Sequence, residues 1–128
     1  MEITLNFKPV PLQRPRYSQG RVYDSQKDTK LIQWLEVKKQ YGNQQLHTDA
    51  LHLDIVYVFP LAKSHAKAKY QALIGKPHTA KGDIDNYLKF TMDLVHGIVY
   101  NDDAVVASIN AKKIWGVEGK TVFSFKKI

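Results

Sequence analysis

Five of the twelve acidic residues fall between Lys81 and Val106: Asp83, Asp85, Asp93, Asp102 and Asp103. Lys89 is the only lysine or arginine between Asp83 and Asp103. Carboxylates gathered in this way repel one another, so one of them is protonated or a cation sits among them. The Asp83-x-Asp85 pair, held in extended backbone, projects two carboxylates to the same side. Carboxylate oxygens are the natural ligands of Mg²⁺ or Mn²⁺. Asp102 and Asp103 precede a strand that returns close to the start of the helix carrying Asp85, if helix and strand pack as one layer pair. Three carboxylates from two points of the chain then converge, with Lys89 one turn beyond Asp85. Metal-assisted phosphodiester hydrolysis needs carboxylates that hold a metal and a cation near the developing phosphorane charge. Simpler readings compete with this one. An Asp at the head of a helix is an ordinary N-cap, and Asp102-Asp103 is an ordinary turn pair. The N-cap explains one of Asp83 and Asp85 but not both.

The remainder of the chain is basic. Lys and Arg number 19 against 12 Asp and Glu, for a formal net charge of +7, and the isoelectric point is about 9.5. That balance suits a polyanionic partner, and it is the electrostatic footprint of nucleic-acid binding. There is no cysteine, which excludes a disulfide frame, a thiolate metal site and a cysteine nucleophile. The longest apolar run, residues 55–62, is too short to span a bilayer. The first residues do not read as a secretory or transit signal. The expectation is one domain over residues 1–128, soluble and cytoplasmic.

The elements that must position the acids read as follows. Residues 2–8 alternate, with Ile3, Leu5 and Phe7 on one face of a half-buried strand. Residues 12–30 carry no apolar period but hold Arg14, Arg16, Arg21, Lys27 and Lys30 beside Tyr17 and Tyr23. This mixture suits phosphate gripping and base stacking, or simply a solvated loop. Ser25-x-x-Asp28 reads as a capping box for a helix to about Tyr41, stopped by Gly42, with Trp34 as a core anchor. Residues 51–59 give the strongest strand, apolar on both faces in its second half and so central in the sheet. A lysine-rich helix over 64–74 follows; it is either a solvated face or one wall of a groove above the acids. His65 and His78 are too isolated to read as ligands.

A helix from Asp83 or Asp85 to about His96 comes next. Ile84, Leu88, Met92 and Val95 mark its core stripe, and Asp85, Lys89 and Asp93 lie on a second face. Residues 104–115 read as a strand, 116–119 as a hairpin loop, and 121–128 as the last strand. The fold class is α+β: a small mixed β-sheet with helices packed mainly on one face, in β-α-β-(α)-α-β-β order.

The run Gly-Asp-Ile-Asp-Asn-Tyr-Leu-Lys-Phe-Thr-Met-Asp-Leu, followed by Gly-Ile-Val-Tyr-Asn-Asp-Asp-Ala-Val-Val, resembles the D-x-D-N-x-x-K, helix, D-D pattern of the RusA family of Holliday junction resolvases. Pro11 to Arg16 resembles that family's basic N-terminal loop, and length and strand order match as well. The resemblance implies an Mg²⁺-dependent endonuclease that acts as a homodimer on four-way DNA junctions. It assigns Asp83, Asp85 and Asp103 to the metal and Lys89 to the motif lysine. Asn86, Asp102 and Asp93 fit the pattern as supporting residues, with Asn86 orienting a carboxylate or the helix start and Asp93 pairing with Lys89. Arg14, Arg16, Arg21 and Lys81 are the expected DNA contacts. Gly82 departs from the family, some members of which carry a basic residue there. Surfaces for the dimer are the strand near Val56 and Val58, or the C-terminal hairpin with Trp115, Phe123 and Phe125. The alternatives are a metal nuclease acting on flaps or RNA, and a non-catalytic DNA-binding protein with a structural acidic cluster.

Overall fold

A computed structural model describes residues 2–13, 16–23, 25–61 and 71–128. In chain order the elements are β1 (Glu2–Leu5), β2 (Arg16–Ser18), β3 (Arg21–Tyr23), α1 (Lys27–Tyr41), β4 (Leu51–Pro60), α2 (Ile84–Val95), a short 3₁₀ turn (Asp103–Val105), β5 (Val106–Gly116) and β6 (Lys120–Lys127). Four strands form one sheet in the order β1-β6-β4-β5, and β2 and β3 form a separate two-stranded ribbon. β4 runs parallel to β5 and antiparallel to β6, and β1 is antiparallel to β6. The fold is α+β with a mixed sheet.

β4 is central because its residues are apolar where both neighbours need cover. Leu53, Ile55, Tyr57 and Phe59 are at most 4% exposed and face α1 and α2 across the core. Each fully buried side chain of this size contributes about 1.5–3 kcal/mol of transfer free energy. The opposite face of β4 is more polar at its start. There His52 lies between Ser108 of β5 and Lys126 of β6, and its ring contacts Ser108 Oγ at 2.6 Å and Asp54 Oδ1 at 3.0 Å. This is a cross-strand polar ladder on the outer face of the sheet.

α2 has a strong apolar face, rotated from the expected stripe, of which Val95 alone is fully buried. Tyr87, Phe90, Thr91, Leu94 and Val95 are buried, whereas Ile84 is 38% exposed and Leu88 and Met92 are half-buried. The aromatic rings bury more area than the aliphatic chains and so decide the helix's rotation. Tyr57 and Tyr87 rings lie 5.7 Å apart, and Tyr57 Oη and Thr91 Oγ1 share a hydrogen bond of 2.8 Å.

α1 departs further from expectation. Its N-cap position is Gln26 and no side chain caps it; Ser25 Oγ instead donates to Gln13 Oε1. The Gln26 amide ties the helix start to the N-terminal loop, donating to Pro11 O at 2.7 Å and accepting from Gln13 N at 3.0 Å. At the other end, Gln40 Nε2 donates to Thr4 O (2.8 Å) while its Oε1 accepts from Thr4 N (3.0 Å), closing the outer edge of β1. The helix buries Gln33, Val37 and Tyr41. Trp34 is not a core anchor: it is 36% exposed, and Leu31, Ile32 and Leu35 are each more than half exposed.

Two turns also differ. Residues 16–23 form a hairpin around Gln19 and Gly20, both at positive φ (51° and 75°), as a tight two-residue turn requires. Residues 117–119 are not a hairpin loop, because β4 lies between β5 and β6. The chain crosses over the end of β4 so closely that a Cβ on Gly116 would fall 2.4 Å from Val58 Cγ1. Phe123 and Val58 are buried within the chain, and Trp115 meets the His78 ring at a tilt. Of the surfaces considered for pairing two copies, Val58 and Phe123 are thus buried within one, whereas Val56, Trp115 and Phe125 are half-buried. Most of the helix expected over 64–74, with His65, lies outside the described residues.

Candidate active site

The segment before α2 is fastened to the free edge of β5. Gly75 N donates to Trp115 O (2.9 Å), Trp115 N to Lys76 O (3.0 Å) and His78 N to Lys113 O (3.0 Å). His78 then stacks flat on Phe59, with ring centroids 3.9 Å apart, and meets Trp115 at 4.4 Å. Its burial, and secondarily the charge of Lys113, hold its pKa below the ordinary histidine range, which keeps the stacked ring neutral. Lys113 Nζ donates to the carbonyl of Gly82. Gly82 sits at φ 122°, and a Cβ there would lie 2.5 Å from Tyr87 Oη. This chain has no room for a side chain directly before Asp83, which accounts for its departure at that position.

Asp83 occupies the N-cap position of α2, with φ −83° and ψ 132°, but its carboxylate makes no capping hydrogen bond. Its backbone carbonyl accepts from Asn86 N at 3.1 Å and Tyr87 N at 3.5 Å. The cap therefore accounts for the backbone of Asp83 and leaves its carboxylate exposed beside that of Asp85. Both line an open hollow shared with Lys81, Lys112 and Lys113. The helix N-terminus adds a partial positive charge behind the pair. Lys112 and Lys113 were not anticipated; the trace they leave in the sequence is a lysine pair within a strand whose neighbours are apolar or small.

At the far end of α2 the chain doubles back. Gly97 N donates to Tyr100 O (2.7 Å), Val99 N to Val95 O (3.0 Å), and Tyr100 Oη to Met92 O (3.0 Å). Val99 and Tyr100 are fully buried, so the turn that follows is fixed on the helix. Asp102 Oδ1 accepts from Ala104 N at 2.9 Å and is thereby used in capping the 3₁₀ turn. Asp103 is exposed and borders a second hollow with Leu12, Lys89, Met92, Asp93 and His96. Burial, together with the charges of Asp103 and Asp93, pushes the Tyr100 phenol above its ordinary range.

Lys89 links the two hollows: its Nζ lies 3.8 Å from Asp85 Oδ2, and its side chain borders the hollow of Asp103. Asp93 pairs with Lys30 of α1 at 3.6 Å and not, as expected, with Lys89. Asn86 presents its backbone carbonyl to Leu12 N at 2.9 Å, so the N-terminal loop begins at the first turn of α2. Arg14 lies outside the described residues, Arg16 is on β2, and Arg21 on β3 is exposed.

Among the described residues, no three His, Cys, Asp or Glu side chains stand close enough to hold a metal ion by themselves. Asp83 and Asp85 share one hollow while Asp103 borders the next, so the protein does not close a three-carboxylate cage. The donor set still fits a hard cation. Mg²⁺ keeps several waters and is usually held by one or two carboxylates together with substrate phosphates, and Asp83, Asp85 and Asp103 are exposed oxygen donors.

Two comparisons bear on this arrangement. The protein YqaN of Bacillus subtilis (strain 168), described only as uncharacterized, is 26% identical over 138 residues, spanning 100% of this chain and 96% of its own length. The family model described as endodeoxyribonuclease RusA matches residues 6–124, a span that takes in both hollows, Lys89 and the basic loop. This chain therefore belongs to the RusA endodeoxyribonuclease family.

Proposed function

We propose that this protein is an Mg²⁺-dependent nuclease that resolves four-way DNA junctions by paired nicks in cytoplasmic DNA recombination and repair. The observation that carries the reading is Asp83: it stands where a cap belongs, yet its carboxylate is free and next to that of Asp85. Asp83 and Asp85 hold the ion in this reading, with Asp103 contributing from the adjoining hollow. Bound there, Mg²⁺ (or Mn²⁺) supplies an activated water and stabilises charge on the phosphorane. Lys89, tethered to Asp85 and exposed toward Asp103, sets a positive charge where the scissile phosphate gains negative charge. Lys81 and Lys112 flank the acid pair and suit the neighbouring phosphates, while Arg14, Arg16 and Arg21 extend the grip along the backbone. The preparation for chemistry is done by the scaffold: Lys113 fixes the backbone just before Asp83, and Tyr100 fixes the turn just before Asp103.

Resolution requires symmetric nicks in opposing strands. One chain carries one such group of acids, so the working species in this reading is a two-fold homodimer.

The test is cleavage of four-way junction, flap, linear duplex and RNA substrates side by side, with Mg²⁺ and with EDTA. The expected result is Mg²⁺-dependent paired nicking of the junction. Asp85→Asn and Asp103→Asn should bind it as tightly or more tightly but not cut it. Cutting by either variant near the wild-type rate refutes the carboxylate assignment, and preference for flap or RNA refutes the substrate. Sedimentation at micromolar protein checks the dimer.

A further inference from the structure

The apolar side chains left outside on α1 are not scattered. Lys27, Lys30, Leu31 and Trp34 fall at spacings of three and four and therefore share one face of the helix. With Asp93 and Leu94 of α2 they line a groove between the two helices. Asp93 borders this groove and also the hollow that holds Lys89 and Asp103. A continuous track thus runs from the candidate active site along the exposed face of α2 (Asp85, Lys89, Asp93) to the Trp34 indole.

Three occupants suit an exposed tryptophan: a core element, a second copy of the chain, or an aromatic ligand. Among the described residues the core does not use this face, since the helix is docked through Val37, Tyr41 and its two glutamine anchors. A second copy docked α1 against α1 brings like charges together, because the helix holds four lysines against two acids. A polyanion that carries planar rings satisfies both the charge and the apolar surface. Indole faces beside lysines are the usual platform for unstacked nucleobases, with the lysines on the adjoining phosphates.

We propose that Trp34 is a base-stacking platform that receives an unpaired or unstacked nucleotide from the branch point, with Lys27 on the flanking phosphates. This rests on the nuclease reading above for the placement of the DNA, and it adds a reason for that reading's preference for branched substrates. A continuous duplex keeps its bases stacked inside and offers Trp34 nothing to receive. A junction exposes base faces at its crossover, one groove away from the phosphate being cut.

The experiment is a binding titration of the full chain in EDTA, where no cutting occurs, followed through tryptophan fluorescence. The probes are a synthetic four-way junction, a single strand, and a linear duplex of equal length. Quenching is expected with junction and single strand and much less with duplex. Trp34→Phe should bind the junction but lose the quench, which distinguishes Trp34 from Trp115. Trp34→Ala should weaken junction binding on the order of tenfold, the usual loss for one base–aromatic stack, while leaving duplex binding unchanged. Equal weakening on duplex and junction overturns the proposal, as does a quench that survives in Trp34→Phe. A shift from dimer to monomer in Trp34→Ala assigns the face to a second copy instead, and overturns it too. Quenching by a junction that is never nicked in Mg²⁺ would defeat the nuclease reading and leave this one standing; nicking without quenching would do the reverse.

Discussion

Of the helices α1 and α2, one turns most of its apolar residues outward and the other turns them inward. α2 buries Tyr87, Phe90, Thr91, Leu94 and Val95 and shows Asp85, Lys89 and Asp93 to solvent. α1 buries Gln33, Val37 and Tyr41 and shows Leu31, Ile32, Trp34 and Leu35. α2 is held by area removed from water, and its polar face is free to carry charges that repel one another. α1 is held at its two ends by amide hydrogen bonds to the Pro11–Gln13 segment and to Thr4, and its Leu31, Ile32, Trp34 and Leu35 stay exposed. A count of apolar residues per helix says nothing about which face packs; the anchors decide.

That contrast can be broken or sharpened by substitution. The largest effect is expected in the α2 core: Phe90→Ala should destabilise the fold by about 3–5 kcal/mol, the usual cost of emptying a buried aromatic site, read as a shift in the urea midpoint. A loss under 1 kcal/mol would mean that α2 is not held by its aromatic face. Next is Lys89→Ala. Its pairing with Asp85 is exposed on both sides and such pairs add little to folding, so stability should be unchanged while single-turnover nicking falls roughly a hundredfold. Unchanged turnover with weakened binding would make it a docking lysine only. Gln40→Ala should cost about 1–2 kcal/mol, because it leaves the Thr4 edge of β1 unpaired; a neutral result would shift the anchoring of α1 to Val37 and Tyr41. The smallest effect belongs to Leu35→Ser on the outer face of α1, expected within about 0.5 kcal/mol. A large destabilisation there would erase the contrast.

The same contrast explains what could be read from the sequence. β4 was legible because alternation and a doubly apolar second half leave few other arrangements. The ends of α2 were legible from Asp83 and Gly97, and the acid spacing led to the family. The rotation of α2 was legible only in part: in the stripe Ile84, Leu88, Met92 and Val95 only Val95 is fully buried, because Tyr87 and Phe90 bury larger areas. The cap of α1 failed because Ser25 and Gln26 are engaged by the N-terminal loop, a contact that no local pattern encodes. The hairpin at 117–119 failed for a similar reason: β4, more than fifty residues upstream in the sequence, is the strand that separates β5 from β6. Only the Gln19-Gly20 turn was there to be found, as glycine in the second place of a two-residue loop between Ser18 and Arg21. In the site, the acids announced themselves, whereas Lys112 and Lys113 reach them only because residues 75–82 are fastened along the free edge of β5.

The place of β6 has a consequence for how the molecule is made. Among the described residues β1 has no neighbour in the sheet except β6, so it must wait for a strand that is made long after it. The β4-α2-β5 unit is free of that dependence. It holds Asp83, Asp85, Lys89 and Asp103, and its β4–β5 pairing does not involve β6. β1 and, through Gln40, the end of α1 can settle only after the C-terminal strand slots in beside β4. Contacts closed across nearly the whole chain length slow folding. The segment left exposed longest is therefore the N-terminal one, with the apolar face of α1, and aggregation during synthesis should begin there rather than at the acidic hollows.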